Sequence, residues 1–277
     1  MMKSRTKKTF GALLKNIIAW IFSILMLIPL VLIIINAFKP ATECLTLNFS
    51  LPSKLDFSNF TTVIEKGKLG QSFLNSLLYA TLATLITVFL GSMAAYIFSR
   101  RSGKFTNAAY MYVVLGIVIP INYVALMKVM QITQLNDSRL GIVLLYAAIQ
   151  MPFTVFLIYG FVAKVPKDLD EAAVIDGCGP FRLFFNIIIP MMKPSLVTAG
   201  VLCFLNNWNE FVMPLYFLNS SKKWPMPLAV YNFFGQYSKE WNLICADILL
   251  TCLPVIIIYL ICQKDIVGGQ TAGAVKG

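Results

Sequence analysis

Residues 164–195 read KVPKDLDEAAVIDGCGPFRLFFNIIIPMMKPS, between two long apolar blocks. Eight charges fall here: Lys164, Lys167, Asp168, Asp170, Glu171, Asp176, Arg182 and Lys193. Pro166 followed by Asp168, Asp170 and Glu171 is the grammar of a helix start, with acids placed where the macrodipole favours them. Gly177 and Gly179 permit the turn that ends this helix, and Pro180 suits the first position of a second one. Pro190 and Pro194 are expected to close that short helix and to break the chain before the next apolar block. A merely solvated loop would have no use for Phe181, Leu183, Phe184, Phe185 and Ile187 to Ile189. The stretch therefore predicts a folded polar elbow that docks on another protein.

Composition sets the surroundings of the elbow. The chain of 277 residues is 58% hydrophobic and only 13% charged, against about 25% charged for soluble domains. Mean hydropathy is +0.76. With ~20 apolar residues needed per span, the length allows roughly five to seven membrane helices. The expected fold is all-α, a polytopic membrane protein. The net charge of +11 comes from Lys and Arg clustered beside the apolar blocks. That placement follows the positive-inside rule and argues against nucleic-acid binding. Histidine is absent and none of the six cysteines forms a CxxC pair, so neither a zinc site, nor any other metal site, nor His-based catalysis is expected. The cysteines read as small hydrophobes.

Six apolar blocks follow in order, at about 17–37, 73–98, 108–127, 141–162, 196–218 and 243–262. The first is too long for a signal-peptide core and is expected to be retained as a helix. Six spans put both termini on one side, together with the basic turn at 100–104 and the elbow. That side carries fourteen Lys and Arg against nine on the other, which predicts cytoplasmic termini, a cytoplasmic elbow and a short cytoplasmic tail at 263–277. The whole chain, 1–277, reads as one membrane domain.

Chemistry inside the membrane has few candidates. Asn206-Asn207-Trp208-Asn209-Glu210 lies in the fifth block, where a charge at a helix centre costs at least ~2.5 kcal/mol and so usually faces a cavity or pathway. Asn206, Asn209 and Glu210 stand at i, i+3 and i+4 and are expected to share one helical face. Amides, a carboxylate and Trp208 together suit hydroxyl-rich solutes, although amides also glue helices together. Asp247 is a second ionisable residue at membrane depth, expected to meet a fifth-helix amide or interfacial water. Asn75, Asn122 and Gln150 are weaker pathway candidates. No paired carboxylates, histidine or nucleophile–base constellation points to a catalytic residue.

The elbow resembles the EAA signature of bacterial ABC-importer permeases, in the carbohydrate-uptake branch typified by the smaller permease of the maltose system. Glu171-Ala172-Ala173 is followed at the family's spacing by Gly177, and then by Ile187 and Pro190, with Ile189 where Leu is usual. Trp208-Asn209-Glu210-Phe211 and the ending Thr271-Ala272-Gly273-Ala274-Val275-Lys276-Gly277 look like the sugar branch, with Asp265 and Gly268 departing from its tail pattern. The resemblance implies a type I importer permease with six spans in the bacterial inner membrane. It also implies partners: a second homologous permease, a dimer of cytoplasmic ATPase subunits, an extracytoplasmic solute-binding protein, and a sugar or oligosaccharide as cargo. Glu171, Ala172, Ala173, Asp176, Gly177, Phe181, Ile187 and Pro190 would then couple to the ATPase, and the tail, through Gln263, Gly273 and Lys276, would reach it as well. ATP and Mg would be bound by that partner, since this chain has no GxxxxGK[ST] phosphate loop. An importer of another solute or an ion-coupled secondary transporter are the alternatives; the latter would need ion ligands at broken helices near the midplane.

Overall fold

A backbone in hydrocarbon must satisfy its own N–H and C=O groups, and the apolar blocks do so as helices. The structure, a computed structural model, describes residues 2–234 and 240–274, with side chains for 13, 15–234 and 240–264. The described residues form helices and no strand. The long helices are α1 (Met2–Ala37), α3 (Leu69–Arg100), α4 (Lys104–Val118), α6 (Arg139–Val162), α9 (Ile189–Trp208) and α12 (Trp241–Ala274). Shorter ones are α2 (Ser58–Lys66), α5 (Tyr123–Ile132), α7 (Asp168–Ile175), α8 (Pro180–Leu183), α10 (Val212–Phe217) and α11 (Met226–Ala229).

Among the described residues, five helical stretches are long and apolar enough to cross a membrane: Lys15–Ala37, Leu69–Arg100, Arg139–Val162, Pro180–Trp208 and Trp241–Lys264. The expected third span, 108–127, is not one helix. It divides into α4 and α5 because Pro120 cannot donate to a helical bond and disfavours helix at the residue before it; Ile119 is accordingly extended. Asn122 then restarts the chain, its side chain accepting from the Ala125 amide at 3.0 Å. The sixth block runs on past 262, since α12 stays helical to Ala274 despite the glycines of the tail.

The chain divides into two units, 1–69 with 230–252, and 70–229 with 253–277. In the first unit, the end of α1 is closed by side chains. Asn59 Nδ2 donates to the carbonyls of Ala37 and Lys39, both at 2.9 Å, and Asn242 donates to Asn59 Oδ1 at 2.7 Å. Lys39, which reads from sequence as a loop charge, is 0% exposed. Its ammonium donates to Asn36 Oδ1 and to the side chain and carbonyl of Asn48, so three oxygens stand in for its lost water.

In the second unit, α6 is central, packed against α4 and α9. Its approach to α4 is close: a Cβ on Gly116 would lie 2.7 Å from Pro152 Cγ, which only glycine permits. Two buried clusters fill this unit. One joins Tyr79, Ile142, Tyr146, Met213 and Phe217; the other joins Val155, Ile158 and Val162 to Ala173, Leu183, Phe184 and Ile188 of the elbow.

The end of this unit away from the elbow is latched by Asp137. This residue adopts φ 50°, tolerated best by Gly, Asn and Asp. Its carboxylate accepts from the Asn219 amide at 3.1 Å and pairs with Lys223 at 2.8 Å, while Lys223 Nζ also donates to the Asp137 carbonyl. The Lys223 ammonium holds the Asp137 carboxyl below the usual carboxylate range. A depressed folded value means that the latch stabilises fully above the unfolded value of about 3.9 and is lost as pH falls through the folded one. Both side chains are about a third exposed, so water screens the pair and Asp137→Asn should cost about 1 kcal/mol at pH 7. Thermal unfolding in detergent should show this gap at pH 7 and its progressive loss as pH falls below about 3.9 through the lowered folded value. Asp137→Ala should cost about 2 kcal/mol, because it also loses the acceptor and the tolerance of positive φ.

Candidate functional site at the elbow and the broken fifth span

Helix α7 begins with Asp168, Asp170 and Glu171 in its first turn, as the sequence predicts. It ends in a Schellman motif: Cys178 N donates to Ala173 O at 2.9 Å and Gly177 N to Val174 O at 3.0 Å. Gly177 carries the left-handed φ of +75° that this motif requires. Pro180 occupies the first turn of α8. The expected break at Pro190 and Pro194 does not occur, for the helix is continuous over Pro180–Trp208. A π-turn at Phe184–Ile188, in which the Ile189 amide donates to Phe184 O, widens the helix just before Pro190. The wider turn makes room for a proline ring that would otherwise strike the carbonyl four residues back. The second half of the elbow, from Pro180, is thus one continuous helix with the fifth span.

A second bond ties α7 to α3. Arg100 Nε lies 2.5 Å from Asp170 Oδ2, with the two side chains 11% and 15% exposed. Arg100 Nη1 donates to the Val162 carbonyl at 3.4 Å, and its guanidinium lies 5.9 Å from the Tyr96 ring centroid. The Tyr96 hydroxyl donates to Asp170 Oδ2 at 3.4 Å, and its ring packs 5.4 Å from that of Phe184. Sequence reading gave Asp170 a role only in the helix dipole and missed Arg100 and Tyr96. The one available signal was a basic turn and an acidic turn placed on the same side.

What this frame presents outward is distinct from what it buries. Ala173, Leu183 and Phe184 are in the core, and Ile187 is half-buried. Glu171, Ala172, Asp176 and Pro190 are exposed. Ile175 is 85% and Phe181 74% exposed. A cleft of about 270 Å³ opens beside them, lined by Ala173, Asp176, Cys178, Arg182, Asn186 and Ile187. Exposed apolar side chains ringed by acids and a cleft make a surface suited to a protein partner.

The polar run of the fifth span is arranged differently from expectation. Helix α9 stops at Trp208 and Asn209 caps it, so Asn206, Asn209 and Glu210 do not share a helical face. Glu210 Oε1 instead accepts from the amides of Val212 and Met213, at 2.8 and 3.0 Å. It starts α10, as an acidic cap does. Trp208 is 2% exposed, with its ring 5.7 Å from Phe204 and 5.8 Å from Phe73. Asn206 is exposed and donates to Gln150 Oε1 at 3.4 Å, which brings together polar residues of the fourth and fifth blocks. Asn75 ties α3 to the Lys222 and Trp224 carbonyls. Asp247 is buried rather than open to interfacial water. Gln263 is exposed and donates to Leu260 O at 3.0 Å. Gly273 lies within α12, and Lys276 lies outside the described residues.

The fold is that of a chain in a solved bacterial transporter. It superposes with a TM-score of 0.81 on a chain of the crystal structure of a bacterial ABC transporter involved in the import of the acidic polysaccharide alginate, covering 94% of this chain and 97% of that one at 21% identity. Residues 87–264 match the family described as the inner membrane component of binding-protein-dependent transport systems, and the chain belongs to that family. It is 35% identical to the probable starch degradation products transport system permease protein AmyC of Thermoanaerobacterium thermosulfurigenes, over 92% of this chain and 94% of that protein. It is 30% identical to the diacetylchitobiose uptake system permease protein NgcG of Streptomyces coelicolor, over 92% and 86%.

The Arg100–Asp170 pair yields a direct test. Asp170→Ala leaves a desolvated guanidinium without its counter-ion, at a cost of about 3 kcal/mol. If opening of α7 is local, amide exchange over 168–176 should accelerate roughly a hundredfold. Arg100→Met combined with Asp170→Ala should recover most of that protection, because neither charge is then left unpaired.

Proposed function

We propose that this chain is the membrane-spanning permease subunit of an ATP-driven importer of a sugar or oligosaccharide. The observation that carries the reading is the elbow. It exposes Glu171, Ile175, Asp176 and Phe181 while its other face is locked into the bundle. A cytoplasmic ATPase subunit docked on that face would move the fifth span with it, since Pro180–Trp208 is one helix. The ATPase dimer would hold ATP and Mg, and hydrolysis would occur there. A second, homologous permease completes the pathway, and an extracytoplasmic binding protein delivers the solute to the loops at 38–70 and 219–242. Both termini lie in the cytoplasm, in keeping with the excess of Lys and Arg beside the elbow and the basic turn. The saccharides in the names of both relatives support sugar as the cargo class.

In this reading Asn206 and Gln150 offer amides to hydroxyl groups where the fifth span ends. Glu210 acts there by fixing the break that exposes them, and Asn209 is exposed beside it. ATP binding biases the equilibrium between inward- and outward-facing arrangements through its different affinity for the two.

Glu171→Lys should abolish uptake and weaken copurification with the ATPase by at least roughly tenfold, the scale of a charged interface residue. The membrane fold, read by thermal unfolding, should stay intact. Unchanged uptake and copurification would remove the elbow from coupling. Glu210→Gln keeps a cap acceptor, so it should preserve both melting temperature and most uptake. Glu210→Ala should lower stability by about 1 kcal/mol through loss of the cap. Uptake lost in Glu210→Gln at normal stability would give the carboxylate a direct contact with the cargo instead.

A further inference from the structure

A second cleft, of about 370 Å³, lies beside the elbow and shares no lining residue with the polar cleft. Its lining is Met93, Tyr96, Ile97 and Arg100 of the α3 end and Arg101 just past it, with Pro180, Phe181 and Phe184. Met93, Tyr96, Ile97 and Arg100 stand at i, i+3, i+4 and i+7, hence on one face of α3. The cleft is therefore graded along the helix axis. Arg100 and Arg101 line its end nearest the turn after α3, which is called its mouth below, and Met93 lies seven residues back from Arg100, about 10 Å at the helical rise. Below it the apolar track continues, with the Phe89 and Phe185 rings stacked at 6.3 Å and both side chains exposed.

Depth and charge together select the occupant. Helix α3 has 32 residues, about 48 Å, against a hydrocarbon core of about 30 Å, so its basic end stands at headgroup level and Met93 within the acyl region. The charge of Arg100 is answered by Asp170. Arg101 and, on the following turn, Lys104 are exposed and in no ion pair among the described residues. An anion at the mouth and an alkyl chain below it would satisfy both ends of the gradient. A soluble partner could reach the mouth but not the exposed Ile97 and Phe89 beneath it.

We infer that the cleft between α3 and α8 is a binding site for one anionic phospholipid, with its phosphate at Arg101 beside Arg100 and an acyl segment laid along Ile97, Met93 and Phe184. The inference rests on α3 crossing the bilayer and is independent of which solute is carried. Basic pockets at the cytoplasmic ends of membrane helices suit such headgroups.

The test is native mass spectrometry of the full-length chain with its copurifying subunits, in micelles doped with phosphatidylglycerol or phosphatidylcholine. Wild type should retain about one phosphatidylglycerol per chain and no matching phosphatidylcholine, and Arg101→Gln should weaken retention about fivefold. Arg101→Lys should restore most of it. Ile97→Trp, which fills the cleft and leaves every charge in place, should abolish it while the melting temperature stays near wild type. Equal retention of both lipids, or retention unchanged in Arg101→Gln and Ile97→Trp, would overturn the site. Displacement by glycerol phosphate as effective as by the lipid itself would reduce it to a bare anion site. Release of the lipid whenever the ATPase subunits bind would assign the cleft to a protein partner.

Discussion

The ion pair between Arg100 and Asp170 is the contact on which the elbow's use as a mechanical part depends. Without it, α7 would be held to the bundle mainly by Ala173, a small side chain, and by the turn at Gly177. With it, the acidic end of α7 is fixed to the end of α3, and the guanidinium reaches on to the carbonyl end of α6 at Val162. Three elements of the second unit therefore meet at one cation. A charge this poorly exposed is costly to leave unpaired, so separation of α7 from α3 is resisted more strongly than the small contact area suggests. The Schellman turn contributes a second constraint, because it fixes the direction in which the chain leaves α7 toward α8.

Two spans are interrupted, and in both the interruption follows from backbone chemistry. At 119–122, Pro120 ends one helix and Asn122 begins another. At 209–211, no proline is present; α9 stops at an asparagine and the Glu210 carboxylate supplies acceptors for the next helix start. Broken helices at membrane depth are tolerated where the freed groups are re-satisfied or line a cavity. Glu210 is thus explained without any ligand, which shifts the candidate solute contacts toward Asn206 and Gln150, whose amides are not consumed by capping.

Much of the elbow was legible because its signals are local. The acidic first turn, Gly177 and Pro180 each specify a backbone state at their own position, and each is found as read. Misreadings came where a wider context overrode a local rule. Pro190 and Pro194 are helix breakers in isolation, yet the π-turn at Phe184–Ile188 absorbs the first and the helix runs on. The shared face of Asn206, Asn209 and Glu210 assumed a continuous helix that the Glu210 cap ends. Lys39 reads as a loop charge because nothing in its neighbours in sequence reveals that Asn36 and Asn48 fold around its ammonium. Arg100 and Asp170 are separated by seventy positions, and pairing over such a distance is a property of the bundle.

The same helix that anchors the elbow also holds the far end of its unit. Gln71 and Asn75 donate to the Lys222 carbonyl and Tyr79 donates to that of Lys223, each within 3.0 Å. Ser76 accepts from the Met226 amide at 2.8 Å. Four residues within two and a half turns of α3, at i, i+4, i+5 and i+8, thus grip the 222–226 segment, whereas the opposite end of α3 grips α7. The 222–226 segment is held further by the Lys223–Asp137 pair, so each end of the unit carries one ion pair, and the one at the elbow is the less exposed of the two.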